Sequence, residues 1–373
     1  MASHKERMLN AYKGIFSDFY PVSPEFWCYY PAKVLGVNMV ELQREIPHWK
    51  AMRETFLKYD ADGWCTASPN AENSMISGEG EFKRISDTRY RSKSVTRYGG
   101  VALESSAIFD VFEPCWSESY PVKNEGDLEA YMNAQLYGET TYDFTPANEA
   151  FRGCGEDILV EFHIGVDFYD FVCGAMGFED SIMYFLSGND AKLRGWLEKY
   201  TEGRLELLRK TAENTEFESV FIGCGLSCNS LLGPELWRKW SKPYLKTITD
   251  EAHKLGLMVH CHNHGKIMET IGDLAEIGFD CVCPFEREPG DVVGLSGLKE
   301  ARRLLRDKVT FNGNVATVAT LINGTPEDVR AEVREIKEAF AGSPRLIIGT
   351  GDQVGSETAE ENIYAMIEEG RAK

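Results

Sequence analysis

The segment Leu257-Met258-Val259-His260-Cys261-His262-Asn263-His264-Gly265 joins a short apolar run to a polar turn that ends on glycine. Helical sequence precedes it from residue 234 to about 254, and a second helix is predicted from near residue 267 to 276. A short apolar run between two helical segments indicates a buried strand of a parallel sheet covered by helices. The segment therefore predicts one strand–helix step of an α/β fold.

The same step recurs on both sides of this segment. Further strands followed by helices are predicted at residues 218–225, 281–286, 309–314 and 345–352. Upstream, residues 25–30, 62–66 and 158–163 supply three more candidate strands. Eight strands in succession predict a closed (β/α)8 TIM barrel, and no Gly-x-Gly-x-x-Gly follows the first strand to indicate a dinucleotide-binding sheet.

The interval from residue 77 to residue 142 departs from this alternation. Strands are predicted at 89–97 and 101–112, and a helix follows at 125–136. We interpret residues 77–142 as an insertion that forms a lid or side sheet within one barrel domain spanning residues 1–373, because barrels of this length often carry such insertions.

Composition and charge restrict the class of protein. The 373 residues include 40 Lys and Arg against 59 Asp and Glu, for a net charge of -19. Nucleic acid and anionic lipid both require a basic surface, so neither is an expected partner. The N-terminus has no apolar run, no segment has the roughly 20 apolar residues of a membrane span, and ten cysteines without a framework spacing indicate reduced thiols. We expect a soluble, cytoplasmic protein.

Polar side chains follow the predicted strands at their carboxyl ends, where TIM barrels carry their active sites. The densest group is the histidine segment. Residues two apart on a strand point to the same side, so His260, His262 and His264 share one face and Cys261 takes the other. Because imidazole is a preferred zinc ligand, we predict His262 and His264 as metal ligands. Direct ligation by His260 stays open, as do metal-free roles in hydrogen bonding or proton transfer.

A third ligand is expected on a neighbouring strand, because catalytic zinc needs three protein ligands and one open position. Cys224 lies between two glycines at the end of the preceding strand, where a thiolate would complete a set with the two histidines. A packed cysteine is the alternative interpretation, and Cys228 is an alternate ligand. Cys281 and Cys283 are expected in the core, because Pro284 and Phe285 separate them from the strand end.

Three carboxylates are candidates for catalytic roles. Glu161 and Glu286 end predicted strands, where each would bind the metal, orient a histidine or simply face solvent. Asp352 follows Gly349-Thr350-Gly351 and would act as an acid–base group, a substrate contact or a solvated loop residue. Aromatic residues near Trp27, Trp64 and Phe162 would line a pocket or pack.

Several motifs of the second half occur together in a fixed order. They are Ser241-Lys242-Pro243-Tyr244, His262-Asn263-His264-Gly265, Pro284-Phe285-Glu286, Asn312-Gly313-Asn314, Gly324-Thr325-Pro326-Glu327-Asp328, and Asp352 with Glu361-Asn362-Ile363. In these motifs the chain resembles the uroporphyrinogen decarboxylase superfamily, and particularly its corrinoid-dependent methyltransferase branch. The resemblance implies a TIM barrel, a zinc held by a His-x-Cys pair and a distant cysteine, and a separate corrinoid protein that carries the methyl group.

Two departures from that branch concern the metal ligands. The cysteine of the His-x-Cys-Gly turn is His264 here, and the late cysteine position corresponds to Gly351. We therefore expect a modified ligand set of His262, His264 and Cys224. Two imidazoles and at most one thiolate leave zinc electron-poor, which favours activation of an ether oxygen.

The resulting hypothesis is a zinc-dependent methyltransferase that moves a methyl group from a small methylated compound, such as a methoxylated aromatic, to a corrinoid protein. Glu161, Glu286 or Asp352 would supply a proton to the leaving oxygen. One alternative is a metal-free barrel lyase of the uroporphyrinogen decarboxylase type, although the chain lacks an Arg-rich N-terminal segment that would bind a porphyrinogen. Another is a corrinoid-binding module without catalysis. A homodimer is the oligomeric state to be tested.

Overall fold

The computed structural model describes residues 2–372. Its strands, in chain order, are β1 (Val22–Ser23), β2 (Trp64–Ala67), β3 (Asn70–Asn73), β4 (Ile76–Arg84), β5 (Arg89–Tyr98), β6 (Val101–Asp110), β7 (Trp116–Ser119), β8 (Thr140–Asp143), β9 (Leu159–Val166), β10 (Ser219–Cys224), β11 (Met258–Asn263), β12 (Cys281–Cys283), β13 (Thr310–Val315) and β14 (Leu346–Thr350).

The helices cover the outer face of the main sheet and close one of its ends. They are α1 (His4–Lys13), α2 (Tyr29–Leu35), α3 (Met39–Glu45), α4 (His48–Tyr59), α5 (Glu125–Tyr137), α6 (Thr145–Cys154), α7 (Phe168–Met176), α8 (Phe178–Leu186), α9 (Asp190–Asn214), α10 (Asn229–Leu232), α11 (Pro234–Lys254), α12 (Ile271–Ile277), α13 (Gly294–Leu305), α14 (Pro326–Ala339) and α15 (Glu360–Arg371). None of the helices described between residues 2 and 372 is both long and apolar enough to cross a membrane.

A parallel sheet of 8 strands forms the centre of the molecule, in the order β1-β14-β13-β12-β11-β10-β9-β2. Asp62 brings the two ends of this sheet together, because its amide donates to the Val22 carbonyl (2.9 Å) and its carboxylate accepts from the Val22 amide (2.9 Å). A curled parallel sheet with helices outside it is the architecture of a TIM barrel. The predicted fold class is confirmed.

The first barrel strand lies earlier than the sequence predicts. Residues 25–30 are expected as a strand, but β1 ends at Ser23 and α2 begins at Tyr29. Trp27 adopts a φ of 32°, which an extended strand does not allow. The aromatic side chains that favour a strand in this stretch pack against helices instead, as the Phe26 ring does at 5.1 Å from Phe56.

Helix α1 closes the N-terminal end of the barrel. Its Met8, Leu9 and Tyr12 side chains pack against inward-facing strand residues such as Trp64 and Phe221. Thr310 Oγ1 fixes the helix by donating to the Ala11 carbonyl at 2.7 Å. The filled floor leaves the carboxyl ends of the strands as the accessible end of the barrel interior.

The chain leaves the barrel after β2 and returns before β9. β3 pairs with β8 at the base of this excursion, and β4 to β7 form an antiparallel sheet of 4 strands. The Met39 amide in α3 donates to the Val111 carbonyl (3.0 Å), and Tyr29 donates to Glu113 (2.6 Å). Because Tyr29 follows the carboxyl end of β1, this inserted sheet lies beside the open end of the barrel.

Candidate metal and acid–base site

The register of the central strands determines which side chains face the barrel interior. Phe221 on β10 lies beside His260 on β11, and His262 lies beside Cys283 on β12. Cys261, between the two histidines, belongs instead to the core between the sheet and the helices. Successive side chains of a strand point to opposite faces, so His260 and His262 occupy successive layers of the interior.

Three donors of different chemistry meet at the upper layer. The ligand atoms of Glu25, His262 and Cys283 all lie within 4.8 Å of one another, and His262 Nδ1 is 3.2 Å from Cys283 Sγ. Glu25 follows the carboxyl end of β1, and its amide donates to Thr350 Oγ1 at 3.0 Å. Carboxylate oxygen, imidazole nitrogen and thiolate sulfur are all zinc ligands, so the donor set fits this metal.

The Glu25 carboxylate is the clearest sign that the group accommodates a cation. The residue is 8% exposed, and no hydrogen bond to its carboxylate is present among residues 2–372. Burial, followed by the charge of Asp352, raises its pKa to about 8, although His264 opposes the shift. Burial thus disfavours the ionised carboxylate, and a bound cation would favour it.

The protonation states of the other two donors suit a metal site to different degrees. Burial, with the neighbouring His264 and His260, holds the pKa of His262 well below its usual value, so the ring stays neutral and keeps a lone pair for a metal. Burial, with the charge of Glu25, raises the pKa of the Cys283 thiol. Metal binding would therefore have to displace a proton from Cys283.

His264 lies above this group and pairs with a carboxylate. Its Nδ1 is 2.9 Å from Glu286 Oε1, which also accepts from the Gly265 amide at 2.7 Å. Burial opposes protonation of His264, but the Glu286 hydrogen bond and the charges of Asp352 and Glu25 outweigh it and raise its pKa. The pair therefore places a proton-carrying imidazole at the barrel opening.

Glu161 and His260 form a second pair, one layer below. Glu161 Oε2 lies 2.7 Å from His260 Nδ1, which is also 3.0 Å from the Tyr12 hydroxyl. His260 Nε2 lies 3.0 Å from Cys283 Sγ. Glu161 and His260 are both fully buried, so neither reaches the barrel opening.

The remaining predicted residues lie in different surroundings. Cys224 Sγ is 3.8 Å from Cys261 Sγ, and the register pairs Cys224 with Asn263, so the thiol faces the helices rather than His262. This placement corrects the expectation that Cys224 lies with the two histidines. Asp352 is partly exposed at the barrel opening, where its Oδ1 accepts from the Gln353 amide at 2.6 Å.

Glu25 and Cys283 are absent from the ligand set expected from the sequence. Pro284 and Phe285 suggest that Cys283 lies too deep to bind a ligand, but β12 ends at Cys283 itself. Its pairing with His262 would have indicated the site, but that register is known only from the assembled barrel. No sequence feature marks Glu25 as a metal ligand, because residues 25–30 resemble an aromatic strand.

An aromatic row borders His262 inside the barrel. The Trp64 and Phe221 rings stack at 5.2 Å, and Phe221 lies 5.6 Å from His163 and 5.8 Å from His262. Trp27 extends the row at 5.7 Å from Trp64. Trp64 and Phe221 are buried in the barrel, and Trp27 and His163 are the partly exposed members of the row.

The closed barrel and the donor groups at its strand ends define an α/β-barrel protein with a site that can accept a metal. The chain belongs to the uroporphyrinogen decarboxylase family, because the family model described as Uroporphyrinogen decarboxylase (URO-D) matches residues 173–372, more than half of the 373 residues. The resemblance to this superfamily is confirmed.

The curated relatives include a methyltransferase and a uroporphyrinogen decarboxylase. The chain is 29% identical over 138 residues to Methylcobamide:CoM methyltransferase MtbA of Methanosarcina mazei, covering 37% of each protein. It is 28% identical over 139 residues to Uroporphyrinogen decarboxylase 1, chloroplastic, of Oryza sativa subsp. japonica, covering 35% of this chain and 30% of that protein. The chain thus matches about a third of the length of these relatives.

A solved structure shares the whole fold. A methyltransferase from Methanosarcina mazei aligns with a TM-score of 0.63 over 99% of this chain and 98% of its own, at 16% sequence identity. At this identity the similarity establishes the barrel architecture alone.

Proposed function

We propose that the protein is a corrinoid-dependent methyltransferase that holds zinc with Glu25, His262 and Cys283. The observation that carries the proposal is the meeting of these three donors within 4.8 Å, with Glu25 only 8% exposed. The similarity to a methylcobamide methyltransferase over 37% of the chain supports the reaction class. In this ligand set His262 keeps its expected role, Cys283 replaces Cys224, and Glu25 replaces His264.

The other residues around the opening have separate tasks in this proposal. A zinc ion bound by the three donors supplies Lewis-acid stabilisation to the heteroatom that loses its methyl group. His264 holds a proton at the barrel opening, and Glu286 orients the ring through the 2.9 Å contact to Nδ1. His264 therefore serves as the general acid that protonates the leaving oxygen. Asp352 helps to keep this imidazole protonated, because its charge raises the pKa of His264.

The substrate class that we propose is a small methoxylated aromatic compound. Trp27 and His163, the partly exposed members of the aromatic row, would contact the ring of such a compound. A corrinoid protein is the proposed methyl acceptor and would approach the open end of the barrel. The Glu286 and Asp352 carboxylates at this end disfavour a polycarboxylate, and therefore a porphyrinogen, as substrate.

Metal analysis together with a methyl-transfer assay tests the proposal. The purified protein should contain stoichiometric zinc and should transfer methyl groups from 2-methoxyphenol to cob(I)alamin, followed by the absorbance of methylcobalamin. Chelation should abolish both, and added zinc should restore them. Cys283→Ser should lose zinc, whereas Cys224→Ser, the matched thiol on the outer face, should retain it.

Two results would contradict this function. Undiminished methyl transfer by protein that contains no zinc would remove the metal from the mechanism. Decarboxylation of a porphyrinogen by chelated protein, without methyl transfer from any methoxylated aromatic, would instead support the barrel lyase.

A further inference from the structure

We propose that His260, held by Glu161 and by Tyr12 of helix α1, is a positioning residue that fixes Cys283 as a metal ligand. This inference rests on the proposed zinc site and assigns roles to three buried residues that the methyl-transfer proposal leaves without one. It also gives the N-terminal helix a part in the site.

The contacts of His260 Nδ1 determine the direction of its ring. Nδ1 lies 2.7 Å from Glu161 Oε2 and 3.0 Å from the Tyr12 hydroxyl. Both partners lie on the same side of the imidazole, so the opposite nitrogen, Nε2, is directed at Cys283 Sγ at 3.0 Å. The hydrogen bond at one ring nitrogen of a histidine commonly sets the role of the other.

Packing prevents the ring from turning away from these partners. Trp64 contacts the imidazole edge-on at 4.9 Å and 74°, and Phe221 contacts it at 5.4 Å and 87°. Tyr12 adds a third edge contact at 5.6 Å. A ring enclosed by three aromatic side chains has no second rotamer available without moving one of them.

The same geometry removes Glu161 from the list of proton donors to substrate. Glu161 is fully buried, its Oε2 is bound to His260, and Cys283 lies between His260 and the barrel opening. Its Oε2 is therefore engaged by His260 rather than by a group at the barrel opening. Its position instead matches that of carboxylates that orient a histidine behind a metal site.

The consequence concerns the sulfur atom. The contact of Nε2 with Sγ holds the sulfur at a fixed place beside His262, and such contacts to a metal ligand commonly change metal affinity by about 10- to 100-fold. His262 Nδ1, 3.2 Å from the same sulfur, is itself a proposed ligand. His260 thus keeps Cys283 Sγ in place between the two histidines.

Cobalt substitution tests this inference without relying on catalysis. The apoprotein is titrated with Co²⁺ against a chromogenic chelator, and the sulfur-to-cobalt charge-transfer band is recorded. His260→Gln should weaken Co²⁺ binding by about 10- to 100-fold and shift the band. Glu161→Gln and Tyr12→Phe should change both quantities in the same direction by smaller amounts.

A matched control separates positioning from packing. Tyr30 is another fully buried tyrosine, and its hydroxyl donates to the Thr358 carbonyl. Tyr30→Phe should leave the affinity and the band unchanged. Tyr12→Phe keeps the ring and removes one oxygen, so it tests the inference even where Glu161→Gln fails to fold.

Three outcomes would contradict the proposed positioning role of His260. Variants of His260 and Tyr12 that fold, by circular dichroism, and bind Co²⁺ with wild-type affinity and spectrum would overturn the positioning role while leaving the proposed function intact. An equal effect of Tyr30→Phe would also overturn it. Wild-type protein that binds no Co²⁺ would contradict the zinc site itself, and the inference with it.

Discussion

His264 and Glu286 form an ion pair in which the pKa of the histidine is raised and that of the carboxyl is lowered. The pKa of His264 is raised from its ordinary 6.5, so its contribution to stability is complete below that value and is lost as the pH rises through the folded-state pKa. Burial acts to raise the pKa of Glu286, but the His264 and Gly265 hydrogen bonds and the charge of His264 together lower it from 4.5. Its contribution is complete above 4.5 and is lost as the pH falls.

The pair should therefore stabilise the protein most between the two ordinary pKa values, 4.5 and 6.5. Glu286→Gln keeps an acceptor for the Gly265 amide but removes the charge. We expect a loss of about 1 kcal/mol in the free energy of unfolding within that window. The loss should shrink as the pH rises through the folded-state pKa of His264. Urea unfolding of the wild-type protein and of Glu286→Gln, across this pH range, measures the loss. A loss that does not vary with pH would contradict the ion pair between His264 and Glu286.

Residue chemistry predicted the kinds of side chain at the site but not their partners. The sequence indicates histidines and carboxylates at strand ends, and it places His260 and His262 on one face. It cannot show that Cys283 lies beside His262 and that Cys224 faces the helices, because both facts depend on the register between strands. A shift of one residue in that register exchanges the two faces of a strand.

At the scale of elements, Asp62 connects the first two barrel strands to helix α1. Its carboxylate accepts from the Val22 amide at 2.9 Å and from Arg7 Nε at 2.7 Å. Asp62 is fully buried and Arg7 is 5% exposed. Removal of the carboxylate would leave a buried guanidinium without its partner, which is strongly destabilising.

Asp62→Ala should lower the free energy of unfolding by about 3 to 5 kcal/mol. Asp157→Ala is the matched control, because Asp157 contacts Arg53 at 2.6 Å but both side chains are partly exposed. The control should cost less than about 1 kcal/mol. Chemical denaturation measures both variants, and equal losses would show that the closure at Asp62 contributes no more than a surface ion pair.

The boundaries of an element can be predicted from the sequence where its hydrophobic pattern is long. The prediction is wrong where a strand is short. β13 and β14 lie close to their predicted positions because each forms an apolar run bounded by polar turns. β1 has only 2 residues, which is too short for a recognisable alternation, and the aromatic stretch after it resembles a strand more closely. Because the first strand was predicted at residues 25–30, the sequence did not place Glu25 after the end of a strand.

At the scale of the whole molecule, the proposed metal ligands come from widely separated parts of the chain. Glu25 follows the first barrel strand, whereas His262 and Cys283 lie on β11 and β12, across the ring of the sheet. A metal held by all three would bind the folded barrel and not the unfolded chain. Such a ligand stabilises the native state in proportion to the logarithm of its concentration over its dissociation constant.

Zinc removal should therefore lower the thermal stability of the whole barrel. At a zinc concentration about 100-fold above the dissociation constant, the expected stabilisation is about 2.7 kcal/mol. In a chain of this size that corresponds to roughly 3 °C in Tm. Calorimetry of the protein with zinc and with chelator measures the difference, which should vanish in Cys283→Ser and persist in Cys224→Ser. Because the two thiols lie on opposite faces of the sheet, on β10 and β12, an equal response of the two variants would contradict ligation by Cys283 in particular.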